Sequence, residues 1–517
     1  MRKGMIGIYC IFITWCFCIS ILSAEYAMAQ PPPLTAQGTR LLELCRCAVS
    51  LSRASADSIW PAYDMTRYPF MVYVPGEWAL LINYPRTPQG FMPFPSEWPS
   101  IGTQAWLYPG EYNNLAGQLA FAVDVDSIRV SAVPLMDKPD EEMLAFLIHE
   151  TFHEYQYDAF GEIPWAREEK YPIQDAENSA LACLEMIILM DAVQAADEGD
   201  AELCREAVRQ FVAVRNYRWR QADPFVAEYE QGQEIREGTA KYVELRSLSF
   251  LRPGTCDPPG GAISLPETVF RPLPRTIMKD LSDKLTGGAL APREVARNRI
   301  YPVGSALGFL LDYFGVDWKA QAQQAGTEFK FADILSGYLN VSANEIDQLV
   351  VQAKEAYSYD QIEYITNSLV QQYDAGYRTE LAGFEAQTGF RVEVSLSSNG
   401  VTRSRSTTAP RWLMDNGAVD FCNQYDMYSL QSDELVLQVH DAGILERNDW
   451  ERKIRAVTFY VPVPPTIIID GTRTDHLPGR TVSFMNIDVH NDRLKFTYHQ
   501  SGTVQFTAPG IVVNLLP

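Results

Sequence analysis

Cationic residues are scarce in this sequence: 43 Lys and Arg stand against 65 Asp and Glu, for a formal net charge of −22. Nucleic acids and anionic membrane surfaces repel such a chain, which argues against both as partners. Histidine is scarcer still. There are six in 517 residues, and between Gln30 and Val439 only His149 and His153. No Cys-x-x-Cys pair occurs, so a cysteine-built zinc site is not expected. The chain shows no internal repeat and no low-complexity tract. Past the N-terminus, no stretch reads as a membrane span.

The N-terminus itself is apolar. Met1-Arg2-Lys3 is followed by an almost wholly apolar run over 5–24, then Ala27-Met28-Ala29 before Gln30 and three prolines. Basic, apolar and small-x-small segments in that order predict a secretory signal peptide over 1–29, cleaved on export. The mature protein is then secreted or periplasmic with no stable membrane insertion, the alternative being an uncleaved N-terminal anchor. Export makes disulfides feasible among Cys45, Cys47, Cys183, Cys204, Cys256 and Cys422. Cys45 and Cys47 are too close in sequence to join each other. Cys183 and Cys204 fall on consecutive helices, roughly 16 Å out of register by helical rise, and are not expected to pair.

Hydrophobic residues make up 47% of the chain, enough for a large core, and the length suits two or three domains. The expected fold class is α+β. Residues 30–135 read as an N-terminal α+β part: a helix over 34–60, strands over 69–74 and 78–84, a Pro/Gly/Trp-rich loop over 85–110, and one or two strands over 118–134. Residues 136–388 read as mainly helical. Pro139-Asp140-Glu141-Glu142 suits a helix start, because proline and acidic residues fit the first turn. That helix is predicted to run to about residue 159, with others over 175–196, 200–222, 225–251, from 302, and over 331–339, 343–356 and 359–387. A Pro/Gly-rich connection occupies 252–275. From 390 to 517 the period becomes two, which predicts a separate all-β, sandwich-like domain.

The chemistry lies in His149-Glu150-Thr151-Phe152-His153. On a helix, positions i and i+4 share a face, so both imidazoles reach one ion. Glu150 falls beside that ion, where it can take a proton from water held there. The site predicts Zn²⁺ as cofactor. A catalytic zinc needs a third protein ligand, and no further histidine is at hand, so a carboxylate is expected. The first candidate is Glu237, in Glu237-Gly238-Thr239-Ala240-Lys241-Tyr242-Val243-Glu244, where small neighbours would let this helix approach the His-bearing helix closely. Glu177 is the rival, and whichever is not a ligand can orient a histidine from behind. Tyr301, at a loop-to-helix junction, is the candidate donor to the oxyanion formed when water attacks a carbonyl.

These two motifs resemble those of the Glu-zincin metallopeptidases, which pair His-Glu-x-x-His with a downstream Glu, in several families within Glu-Gly-x-Ala-x-Tyr. The resemblance implies a zincin-like catalytic region with zinc ligands His149, His153 and Glu237, and with Glu150 as general base and acid. It implies Tyr301 as the transition-state donor. It also implies a sheet above the active-site helix whose edge strand, supplied by 118–134, binds an extended peptide or protein substrate. No Gly-x-Met-Glu-Asn-like signature stands upstream, so aminopeptidase activity is not implied. The expectation is an exported zinc-dependent hydrolase acting on peptide bonds. The alternative is an exported binding protein with a structural or vestigial zinc site.

Overall fold

The protein is described from a computed structural model. It describes residues 31–516 except 56–57, 113–121, 162–166, 252–255, 257–262, 266–271, 397–399, 450 and 452. The export signal read over 1–29 lies outside the described residues, as do parts of the expected 118–134 strand and of the 252–275 connection. Helices and strands are both abundant, and the fold is α+β. The chain divides into two compact units: residues 1–159 with 243–271, and residues 160–242 with 272–517.

The first unit begins with α1 (Ala36–Ser55), which buries the expected Leu41, Leu42, Leu44, Cys45, Ala48 and Leu51 and also Glu43, Cys47, Val49 and Ser52, so it is covered over most of its circumference. A small sheet follows: β1 (Phe70–Val74), β2 (Trp78–Ile82), β3 (Met92–Pro93), β4 (Ala105–Tyr108), β5 (Ala122–Val125) and β6 (Ile128–Pro134). The described strands run in the order β3-β4-β2-β1-β6-β5. Every residue of β1 and β2 is buried, which is why both read as continuous apolar runs. β1 pairs antiparallel with β2 and parallel with β6, and β5 lies at one end of the order.

The helix α2 (Asp140–Phe160) begins on its acidic turn. Asp140 there accepts from Arg40 Nε of α1 at 2.6 Å and from the Ser264 N–H at 2.6 Å. Glu154 of α2 accepts from the backbone N–H of Ser131 in β6, so the helix is tied to the sheet. Cys47 and Cys256 form a disulfide within this unit, across 209 residues of chain.

The second unit opens with α3 (Ala176–Glu198) and α4 (Ala201–Gln221). Asp175 and Asp200 cap them through the N–H groups of Asn178 and Leu203, and Gly199 turns the chain between them at φ 78°. α3 is long and apolar enough to cross a membrane, contrary to the reading of the sequence. Its apolar window is 78% buried inside the protein, the mark of a core helix. Cys183 and Cys204 are free and buried.

The helix expected over 225–251 is interrupted. α5 (Pro224–Gln233) passes into a π-turn, Glu234–Gly238, and the chain continues as α6 (Thr239–Leu248). Then come α7 (Leu273–Ser282), the hairpin β7–β8 (Leu285–Thr286, Ala289–Leu290) and a second π-turn, Glu294–Asn298. α8 (Ile300–Tyr313), α9 (Trp318–Ala325), α10 (Phe331–Leu339), α11 (Ile346–Ala356) and α12 (Tyr359–Glu385) complete the helices.

Strands β9 to β21 span residues 390–515: β9 (Phe390–Ser395), β10 (Thr402–Ser406), β11 (Arg411–Met414), β12 (Val419–Gln431), β13 (Leu435–Asn448), β14 (Ile454–Val461), β15 (Thr466–Ile469), β16 (Thr472–Arg473), β17 (Thr481–Phe484), β18 (Ile487–His490), β19 (Leu494–Tyr498), β20 (Gly502–Thr507) and β21 (Gly510–Leu515). Where a sandwich was expected, hydrogen bonding joins them into one curled sheet around a common core. The reason is β13. One edge follows β12 throughout. The other pairs with β19 through Leu435–Val439 and with β14 through Ile444–Asn448. Between these halves Asp441 adopts φ 49°, so one long strand turns the corner that would otherwise separate two sheets.

Candidate metal centre

In the first unit, α2 buries one face of Phe152, Tyr155 and Thr151. Phe152 meets Trp60 and Tyr63 edge-on, at 5.3 and 5.0 Å between ring centres. The Tyr63 hydroxyl lies 3.2 Å from Thr151 Oγ1, and Trp60 Nε1 donates to the Tyr155 hydroxyl at 2.9 Å. These contacts fix the rotation of the helix, and with it the two histidines.

His149 and His153 are both buried, and their rings stand nearly perpendicular at 4.9 Å. One donor atom each from His149, Glu150 and His153 lies within 4.8 Å of the others. This group could hold a metal ion. Each histidine engages a side chain through Nδ1. His149 Nδ1 lies 3.2 Å from Glu244 Oε2, and His153 Nδ1 lies 2.6 Å from Gln156 Oε1. With the proton on Nδ1 facing these acceptors, Nε2 is the nitrogen that would ligate a metal. The donor set therefore fits a metal of the imidazole-preferring kind. Glu150, between the two histidines in sequence, is half-buried.

The second unit brings Glu237 and Tyr301 together. Glu237, 3% exposed, lies in the π-turn Glu234–Gly238. Tyr301 is the second residue of α8. Arg297 joins them: its Nε donates to the Tyr301 hydroxyl at 3.0 Å and its Nη2 to Glu237 Oε1 at 3.3 Å. Burial, and next the adjacent Glu237 carboxylate, push the Tyr301 phenol far above its usual range. It stays protonated at any physiological pH, as a hydrogen-bond donor must. The close approach permitted by Gly238 is to α8 at Gly304. Glu177 is exposed in the first turn of α3.

Beneath the π-turn lies a buried ion network. Arg215, Arg218 and Arg299 face Glu185, Glu230 and Glu234, all fully or almost fully buried. Arg215 donates to Glu185 Oε2 and to Glu234 Oε1 at 3.0 and 2.6 Å, and Arg218 bridges Glu185 and Glu230. Glu234, the first residue of the π-turn, is thereby anchored three positions before Glu237. π-turns are rare and concentrate where a side chain must be aimed.

Glu244, Gln156 and Arg297 are site residues beyond those expected from the motifs. Signals were present for each. Glu244 stands seven residues after Glu237, two helical turns on. Gln156 is at i+3 from His153, and Arg297 is four residues before Tyr301, both neighbour spacings on a helix. Comparison of the chain with known protein families, with curated proteins and with solved structures finds no match.

Proposed function

We propose that this protein is an exported zinc-dependent hydrolase of peptide bonds with a zincin-like catalytic region. The observation that carries the reading is the pair of buried histidines on one turn of α2, each held through Nδ1 by Glu244 or Gln156, with Glu150 between them. On this reading His149 and His153 would hold the zinc, and Glu237 would be its third ligand. Zinc supplies Lewis-acid polarisation of the scissile carbonyl when bound. Glu150 takes the proton of the attacking water and passes it to the leaving amine. The Tyr301 phenol donates to the oxyanion, aligned by Arg297. An extended substrate lies along β5, at the end of the first unit's sheet. Disulfides persist in oxidising compartments, so the Cys47–Cys256 bridge supports export.

The test is the metal content of purified residues 30–517, with peptide-library turnover for the wild type and Glu150→Gln. The expected result is about one zinc per chain in both proteins and turnover in the wild type alone. Failure to take up zinc overturns the reading. Zinc without turnover in the wild type favours a non-catalytic exported binding protein.

A further inference from the structure

The curled sheet leaves a gap where β13 turns its corner. Among the described residues, no strand pairs with Asp441–Gly443 on the side shared by β14 and β19, where the His440 N–H already donates to the Arg493 carbonyl at 2.9 Å. The gap opens into a cavity of about 520 Å³, ringed by the ends of β14 and α12, the starts of β9 and β19, and the middle of β12. That volume is typical of a small-molecule site. It belongs wholly to the second unit and shares no residue with the candidate metal centre.

Three irregularities build this cavity. Asp441 holds a left-handed φ of 49° in mid-strand, a conformation that costs an aspartate free energy and recurs at ligand sites. Two residues further along β13, Asn423 and Gln424 form a bulge in the neighbouring β12, where two residues face the single Gly443. A β-carbon on Gly443 would stand 2.9 Å from the Asn423 carbonyl oxygen, so only glycine keeps that approach. Bulges of this kind re-aim side chains.

Hydrogen bonds hold the Asn423 and Arg493 side chains and the Gln424 and Asp441 backbone carbonyls. Asn423 Nδ2 donates to Glu380 Oε2 at 2.6 Å. The Gln424 carbonyl accepts from Thr407 Oγ1 and from Cys422 Sγ. Arg493 Nη1 donates to the Asp441 carbonyl at 3.1 Å, from a hairpin turn whose N–H groups Asn491 caps. Tyr460 is half-buried and packs edge-on against Phe384 at 5.1 Å. Such fixing lowers the ordering cost of binding.

We propose that this cavity binds a short neutral oligosaccharide. Gln387, Asn423 and Gln424 carry amides that both donate and accept, as sugar hydroxyls do. Asp441 and Arg493 cancel in charge, which disfavours an anion. Tyr460 supplies a ring for the apolar face of a sugar. A peptide strand is disfavoured because only three residues of β13, Asp441–Gly443, are open before β14 and β19 close the edge.

The test is a panel of neutral gluco-, xylo- and chito-oligosaccharides titrated calorimetrically into the full chain. The expected result is saturable binding by at least one, weakened about tenfold or more by Gln424→Ala and by Asp441→Gly. Asp441→Gly is expected to raise Tm while it weakens binding, because glycine relieves the left-handed backbone and removes the carboxylate. That combination separates lost recognition from lost folding. The proposal is overturned by no binding across the panel, by binding that both variants leave intact, or by short peptides binding here where sugars do not.

Discussion

Gly238 and Gly304 meet backbone to backbone: a β-carbon on Gly304 would stand 2.3 Å from the Gly238 Cα, and one on Gly238 would stand 2.8 Å from the Gly304 Cα. Neither obstacle is a side chain that could swing away. The contact sets the spacing between the π-turn bearing Glu237 and the helix bearing Tyr301. Gly304→Ala is therefore expected to force the two segments apart, costing about 1–3 kcal/mol of stability as overpacking does. On the proposed function, hydrolysis should fall further than stability accounts for, because Arg297 would no longer span Glu237 and Tyr301. Urea unfolding and turnover measured on one preparation check this. A variant of wild-type stability and activity would show that the spacing is not needed.

Glu244 is the acceptor behind His149. Removing a carboxylate behind a ligating histidine weakens metal affinity by about 10–100-fold. Glu244→Ala should give a loss of that size, with Glu244→Gln intermediate, since the amide keeps an oxygen in place but no charge. Competition against a zinc chelator reads this directly. Unchanged affinity in Glu244→Ala would reduce the Glu244–His149 contact to packing.

Much of this arrangement was legible in the residues. The α2 helix announced itself through Pro139 and three acidic residues, and its i,i+4 histidines through the absence of any competitor over 400-odd positions. Strands β1 and β2 were visible as apolar runs because both faces are covered. What periodicity could not show was long-range. A π-turn inserts one residue into a helix without altering composition, so 225–251 read as unbroken. The single curled sheet depends on β13 changing partners at Asp441, and an aspartate in a strand pattern reads as an ordinary exposed position. α7 went unread because it follows a Pro/Gly-rich stretch and itself opens with Leu273-Pro274. The Cys47–Cys256 pairing joins positions 209 residues apart, beyond any local signal.

Glu237 and Glu177 offer a direct contrast for the third ligand. Glu237 is buried and held by Arg297 in a π-turn, whereas Glu177 is exposed in a first helical turn. Glu237→Ala should lower zinc affinity by at least about tenfold, a loss of about 1.4 kcal/mol or more. Glu177→Ala should leave affinity within about twofold and stability within about 0.5 kcal/mol, as for other surface changes. Chelator competition on both variants decides it, and the reverse pattern would assign the ligand to Glu177.

Glu230 is one of the buried carboxylates through which the second unit answers acid. It accepts from Arg218, Arg299, Trp219 and Tyr171, with no exposure to water. Burial alone would raise its pKa, but Arg218 and then Arg299 outweigh burial and hold the carboxyl well below its usual range. A carboxyl whose folded pKa lies below its unfolded value of about 4.3 contributes stability above that pH. The contribution declines as pH falls toward the folded value. Glu230→Gln removes the charge from beneath two buried guanidinium groups and should cost about 3–5 kcal/mol at pH 7. The difference between wild type and variant should then narrow below about pH 4, where the wild type loses what the variant never had. Urea unfolding of both proteins from pH 7 to pH 3 measures the gap, and a gap constant across that range would show that the Glu230 charge is not what the network requires.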